Sequence, residues 1–122
     1  MKLPYRKNAV IKRTKIIDYL LSLTHADGKS KAKFFRGIGF NETNIEHFEN
    51  ALLKIGKSYE VVKIDEEKAE FAIKYTIDGL LDAPNGKKYK VRTGWAVKAN
   101  SKTPHLTTAF LYNIHKKGNK DV

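Results

Sequence analysis

The chain has 122 residues, with 24 Lys and Arg against 13 Asp and Glu, no cysteine, and a net charge of +11. That length suits one domain over residues 1–122 with a core of its own, and the lack of cysteine excludes a disulfide framework and thiolate metal sites. The N-terminus MKLPYRKNAV lacks the apolar run of a secretory signal, and no segment approaches membrane-spanning length. The expected place of action is the cytoplasm, unless the domain is cut from a larger exported protein.

The charge is unevenly distributed. Residues 1–40 carry ten bases and two acids, residues 41–82 five bases and ten acids, and residues 83–122 nine bases and one acid. Two basic ends that meet around an acidic middle predict a surface for a polyanion, because neutralising phosphates releases counterions.

In chain order, residues 1–9 read as a basic lead-in. A helix is predicted from about Thr14 to Leu23, with Thr14 as cap and Ile16, Ile17, Leu20 and Leu21 as its apolar stripe. The segment Thr24-His25-Ala26-Asp27-Gly28 breaks it. A second helix runs from Lys31 to Gly37 behind Ser30, and places Phe34, Phe35 and Ile38 in the core. Asn41 then caps a third, with Glu42 and Glu46 near its positive end and Ile45, Phe48, Leu52 and Ile55 buried; Gly56 is expected to stop it.

Beyond Gly56 the period shortens to two. Tyr59, Val61 and Val62 open a first strand, and Ala69, Phe71, Ile73, Tyr75 and Ile77 alternate through a second. Asp82 to Gly86 is a turn. The third and fourth strands lie within Lys87–Asn113, split by Asn100 to Pro104, and residues 115–122 form a polar tail. The predicted class is therefore α+β: about three N-terminal helices packed on one face of a four-stranded antiparallel meander sheet.

On the third strand, alternation puts Tyr89, Val91, Thr93, Trp95 and Val97 on one face. Lys88, Lys90, Arg92, Gly94, Ala96 and Lys98 fall on the other, giving four cations on one side of the strand. Arg92 is the most informative, since its planar fork suits a phosphate or a carboxylate; the competing reading is a cross-strand ion pair with an acid such as Glu70. Simple alternation sets Thr93 opposite Arg92, so a bulge must re-aim one of them or only one belongs to a site.

No Gly-rich phosphate loop is present, and His25, His47, His105 and His115 lack metal-ligand spacing, so neither a metal nor a cofactor is expected. Metal-free phosphodiester chemistry remains, needing an acid, a base and cations aimed at the developing charge. His25, in a Gly-containing loop, is the best general acid or base, and capping is its bland alternative. Lys31, near a helix start, suits a phosphate. Thr93 and Thr108 are strand-centre hydroxyls, β formers by default. Lys88, Lys90 and His105 complete the substrate-binding set with Trp95, which falls on the apolar side, where packing competes with base stacking.

The run Leu20-Leu21, His25, Gly28, Lys31-Ala32, Phe34-Phe35 and Gly39-Phe40 resembles the pattern of a family of small, largely uncharacterised bacterial domains. Val91-Arg92-Thr93-x-Trp95, Pro104-x-Leu106 and Thr108-Ala109-Phe110 resemble its second half. Ala26 and Leu111 stand where that pattern has proline. The layout is also similar to the barnase–EndoU–colicin–RelE group of ribonucleases. That resemblance implies metal-independent RNA cleavage, a toxin domain, and a tight acidic immunity or antitoxin partner. On it, His25, Lys31, Arg92, Thr93 and Thr108 are the catalytic candidates, and the expected function is cleavage of tRNA or another structured RNA. The alternatives are a non-catalytic nucleic-acid-binding or regulatory module, and a protein whose basic surface docks an acidic protein.

Overall fold

Three helical segments precede a four-stranded antiparallel sheet in the order β1-β2-β3-β4, an α+β fold. The computed structural model describes residues 1–112; His115 and the expected polar tail lie outside them. The first helical segment is α1 (Arg13–Lys15) continued by a π-turn over Ile16–Leu20, followed by α2 (Lys29–Gly37) and α3 (Ile45–Ser58). The strands are β1 (Val61–Asp65), β2 (Ala72–Asp82), β3 (Lys88–Lys98) and β4 (His105–Leu111).

The sheet sorts its side chains by period. Tyr75, Ile77 and Leu81 of β2 and Val91, Thr93 and Trp95 of β3 are buried on one face, and the register pairs Tyr75 with Trp95 and Ile77 with Thr93. α3 lies across β2 and β3 and adds Phe48, Leu52 and Ile55 to the same core. Phe48 stacks on Phe40 at 4.3 Å between ring centroids and meets Phe35 at 4.8 Å. Among the described residues, no helix packs across the opposite face of the sheet.

Several element boundaries depart from the sequence expectation for local reasons. Gly56 does not stop α3, which runs on to Ser58; a Cβ on Gly56 would lie 2.4 Å from Cζ2 of Trp95, so the glycine lets the helix approach the sheet. The N-cap of α3 is Asn44 rather than Asn41, and those two residues form a turn in which Asn44 Oδ1 accepts the Asn41 N–H at 2.8 Å. Thr14 and Ser30 lie inside their helices, whose N-caps are Lys12 and Gly28. Ile17 is exposed, because the π-turn shifts the stripe to Ile16, Leu20 and Leu21. β2 begins only at Ala72, and Phe71 sits in the preceding hairpin at 70% exposure.

The basic lead-in is also structural. Val61 N–H donates to the Met1 carbonyl at 2.8 Å on the β1 edge, while Val10 N–H donates to the Pro104 carbonyl at 2.9 Å beside β4. Between those ends Leu3 and Ala9 are buried, so the first ten residues strap the helix-covered side from one sheet edge to the other. That partly satisfies two edges that would otherwise expose unpaired backbone groups.

Candidate functional site

The π-turn sets the site. Leu21 N–H reaches back five residues to the Ile16 carbonyl at 2.8 Å, and the wider turn leaves Tyr19 half-buried towards β4 while Ile16, Leu20 and Leu21 stay in the core. The loop after it closes tightly over Tyr19. A Cβ on Gly28 would lie 2.3 Å from the Tyr19 carbonyl oxygen and 2.9 Å from Cδ1, so only glycine permits that approach.

Four predicted or neighbouring groups converge on the Tyr19 ring. Its hydroxyl oxygen lies 2.9 Å from Thr108 Oγ1, and either can donate. His25 meets the ring edge-to-face at 5.0 Å. The ammonium groups of Lys15 and Lys31 lie over it at 4.9 and 5.5 Å, and Lys31 also reaches the Phe110 ring at 5.8 Å. Lys31 Nζ donates to the Asp27 carbonyl at 3.1 Å, which ties the amine to the loop at the start of α2. Ser30, Lys31, Phe34, Phe110 and Leu111 line an adjoining groove of about 420 Å³.

His25 does two things at once. Its Nδ1 accepts the backbone N–H groups of Asp27 and Gly28, each at 3.0 Å, and so satisfies donors of the turn that leads into α2. A nitrogen that accepts twice bears no proton, so the neutral ring carries its N–H on Nε2 and can donate there.

Thr108 is aimed by a bulge in β4. The β3–β4 register shifts between Gly94 and Trp95, and both Thr107 and Thr108 face Gly94; a Cβ there would lie 2.8 Å from Thr107 Oγ1 and 3.2 Å from Thr108 Cγ2. The uncovered face dips at this point into a trough of about 290 Å³, bordered by Lys63, Asp65, Lys74, Thr76 and the two threonines.

The remaining catalytic candidates separate. Arg92 is on the uncovered face, where Nε and Nη2 donate to Asp78 Oδ1 and Oδ2 at 2.8 and 2.9 Å. Its partner is thus the directly paired Asp78, not Glu70, which lies in the β1–β2 hairpin. The hydrogen bonds from Arg92 to Asp78 hold the guanidinium above its ordinary pKa, against some desolvation. The fork also stacks on Tyr112 at 3.9 Å and sits across from Phe110 in the register, which makes Arg92 a neighbour of the Lys31 groove but not a member of the Tyr19 cluster. Thr93 is on the opposite face at 0% exposure; its hydroxyl donates to the Ile77 carbonyl at 2.7 Å and accepts Trp95 Nε1–H at 2.8 Å. The β2–β3 pairing runs without a bulge here, so alternation keeps Thr93 in the core. Trp95 is fully buried too, and its ring has no surface on which a base could stack.

Residues 2–113 match the model of a family described as a domain of unknown function (DUF6883). The chain belongs to that family. No curated protein matches this DUF6883 domain. Among solved structures, a chain of the contact-dependent growth inhibition toxin–immunity protein complex from Klebsiella pneumoniae 342 superposes with a TM-score of 0.62 at 18% identity, covering 89% of this chain and 97% of that one. At that identity the likeness shows a shared fold alone.

The other substrate-binding candidates of the DUF6883 domain divide by their neighbours. Lys88 donates to Asp82 at 2.7 Å, and Lys54 reaches the same carboxylate at 3.0 Å; the bonds from Lys88 and then Lys54 hold Asp82 below the usual carboxylate range. Lys90 is exposed, 5.5 Å over the Tyr112 ring. His105 is half-buried at the start of β4. The expected row of four cations on β3 is thus partly neutralised by Asp78 and Asp82 of β2, which the register brings directly opposite. Tyr19 and Lys15 escaped the sequence reading, because a tyrosine in an apolar helical run carries no local mark of a partner 89 positions away. Among the described residues no helix is long and apolar enough to cross a membrane.

Proposed function

We propose that this chain is a toxin-related domain that cleaves RNA without a metal, at the cluster of Tyr19, His25, Lys31 and Thr108. The observation that carries the reading is the Tyr19–Thr108 hydroxyl pair, closed at 2.9 Å beneath the Lys15 and Lys31 ammonium groups. The net charge of +11 and the fold shared with a chain of a toxin–immunity complex support it.

In the proposed reaction the ribose 2′-oxygen forms a bond to phosphorus and the bond from phosphorus to the 5′-oxygen breaks. The 2′-hydroxyl proton passes to Thr108 Oγ1, Thr108 passes its own proton to Tyr19, and Tyr19 protonates the departing 5′-oxygen. The pair therefore ends in its starting protonation state. His25 Nε2–H and Lys31 donate to non-bridging oxygens, where negative charge grows. Arg92, oriented by Asp78, offers its remaining N–H groups to a neighbouring phosphate. An acidic immunity or antitoxin partner would cover the same cations.

The test is incubation of the purified protein with total RNA and tRNA in excess chelator, together with expression in a bacterial host. Discrete fragments with cyclic phosphate ends and arrested growth are expected; intact RNA at high protein concentration sinks the reading. A non-catalytic nucleic-acid-binding module is the second reading, favoured by the commitment of His25 Nδ1 to the Asp27 and Gly28 amides of its own loop. It predicts salt-sensitive RNA binding without turnover.

A further inference from the structure

Three cations that hold no acid among the described residues, Lys12, Lys15 and Lys98, come together near the start of β4. Val10 pairs in parallel with His105, and Leu106 N–H donates to the Val10 carbonyl at 3.2 Å, which brings the N-terminal segment carrying Lys12 alongside β4. On the second side, β3 pairs Ala96 with His105 and ends at Lys98. Lys15 follows at the end of α1 and reaches Tyr19. Three different elements thus set Lys12, Lys15 and Lys98 around His105. Among the described residues none of these lysines makes an ion pair, whereas Lys54, Lys88 and Arg92 on the β2–β3 side each hold an aspartate.

We infer that the phosphate backbone of a single-stranded RNA runs along Lys12, Lys98 and His105 and enters the Tyr19 cluster at Lys15, rather than crossing β3 at Lys88. The inference rests on the proposed ribonuclease reading and adds the track by which the strand reaches the site. A row of unpaired point charges leading into a hydroxyl pair suits a chain of phosphates, each of which displaces counterions as it is neutralised.

His105 makes the track sensitive to pH. Among the described residues, the charged groups facing it are Lys98 of β3, Lys12 of the N-terminal segment and Lys15 of α1, with no carboxylate beside them. Burial first, then these three charges, lower its pKa from the ordinary 6.5. A bound phosphate reverses that repulsion, so binding takes up a proton and tightens as pH falls.

The experiment is fluorescence anisotropy of a labelled 2′-O-methyl oligonucleotide of about 12 nucleotides, a length suited to a small single-strand site, which has no 2′-hydroxyl to react. Lys12→Gln with Lys98→Gln is compared with Lys54→Gln with Lys88→Gln, which removes the same charge elsewhere. The first pair should lower affinity about tenfold and reduce the slope of log K against log salt by about 1.4, while the second changes affinity less than about threefold. Affinity of the unaltered protein should rise between about pH 7.5 and 6, and His105→Asn should flatten that rise. Equal losses from the two pairs, or a pH response that His105→Asn leaves intact, overturn the track. Binding to polyglutamate but not to the oligonucleotide overturns it in favour of an acidic protein. Cleavage of RNA in chelator, assayed in parallel, separates the two proposals: cleavage with normal binding by Lys12→Gln/Lys98→Gln sinks the track alone. Track-dependent binding without cleavage sinks the ribonuclease reading alone.

Discussion

Tyr19 Oη and Thr108 Oγ1 stand 2.9 Å apart across 89 positions of sequence. One comes from a π-turn and the other from a β-bulge, two local irregularities that aim their side chains at each other. Tyr19→Phe removes one oxygen and little else. In the proposed reaction it should lower kcat about 10²- to 10³-fold, as expected for loss of a positioned proton donor, with KM little changed. Thr108→Val should match it, and the double variant should lose little more. Tyr19→Phe with full activity and an unchanged melting curve would remove the hydroxyl pair from the mechanism.

Arg92 separates a phosphate-holding role from a purely structural one. Arg92→Lys keeps the charge but loses the planar fork that fits Asp78. A drop in kcat/KM of about tenfold or more at unchanged salt dependence is expected if the fork also holds substrate. Arg92→Ala should cost about 1–3 kcal/mol in urea denaturation, because it strands Asp78, whose side chain is only 11% exposed. If Arg92→Lys cleaves normally, Arg92 serves only as the counter-charge of Asp78.

Gly56 and Trp95 form a close helix–sheet approach in the core, with 2.4 Å between Cζ2 and a built Cβ. Gly56→Ala should destabilise by about 1–3 kcal/mol through overpacking, despite alanine's better helix propensity. Trp95→Phe frees the space, so Gly56→Ala should cost less in that background. Additive losses in denaturation midpoints would show that the close approach is not what the glycine permits.

The pH dependence of stability follows from His105. Its folded pKa is lowered, so as pH falls the unfolded chain takes the proton first, and stability is lost from the ordinary value of 6.5 downward. Urea midpoints between about pH 7.5 and 5.5 should therefore fall more steeply for the native chain than for His105→Gln, which has no imidazole to titrate in that range. Parallel slopes would mean that the acid sensitivity resides elsewhere.

Much of the fold was legible because burial follows period. The spacing of Phe48, Leu52 and Ile55 and the alternation through β2 and β3 placed a helix on one face of a meander, and that is the structure. Boundaries were less legible where one residue type has two uses. Gly56 reads as a helix stop but serves as a contact point, and Leu3 and Ala9 are too widely spaced to announce a buried strap. Within the candidate site, His25, Lys31 and Thr108 were readable as polar residues in promising places. Thr93 and Trp95 were the weaker choices, because strand alternation had already set them on the core side.

Sequence by itself therefore determined the α+β layout, the basic ends and the set of residues able to do chemistry, since period, composition and charge are local properties. Tertiary structure alone decided which cations of Lys87–Asn113 are free. The β2–β3 register sets Asp82 opposite Lys88 and Asp78 opposite Arg92, and charge pairing at that range outweighs the sign of the strand. It also brought Tyr19 to Thr108 and Val10 to His105, contacts between distant segments that no spacing along the chain encodes.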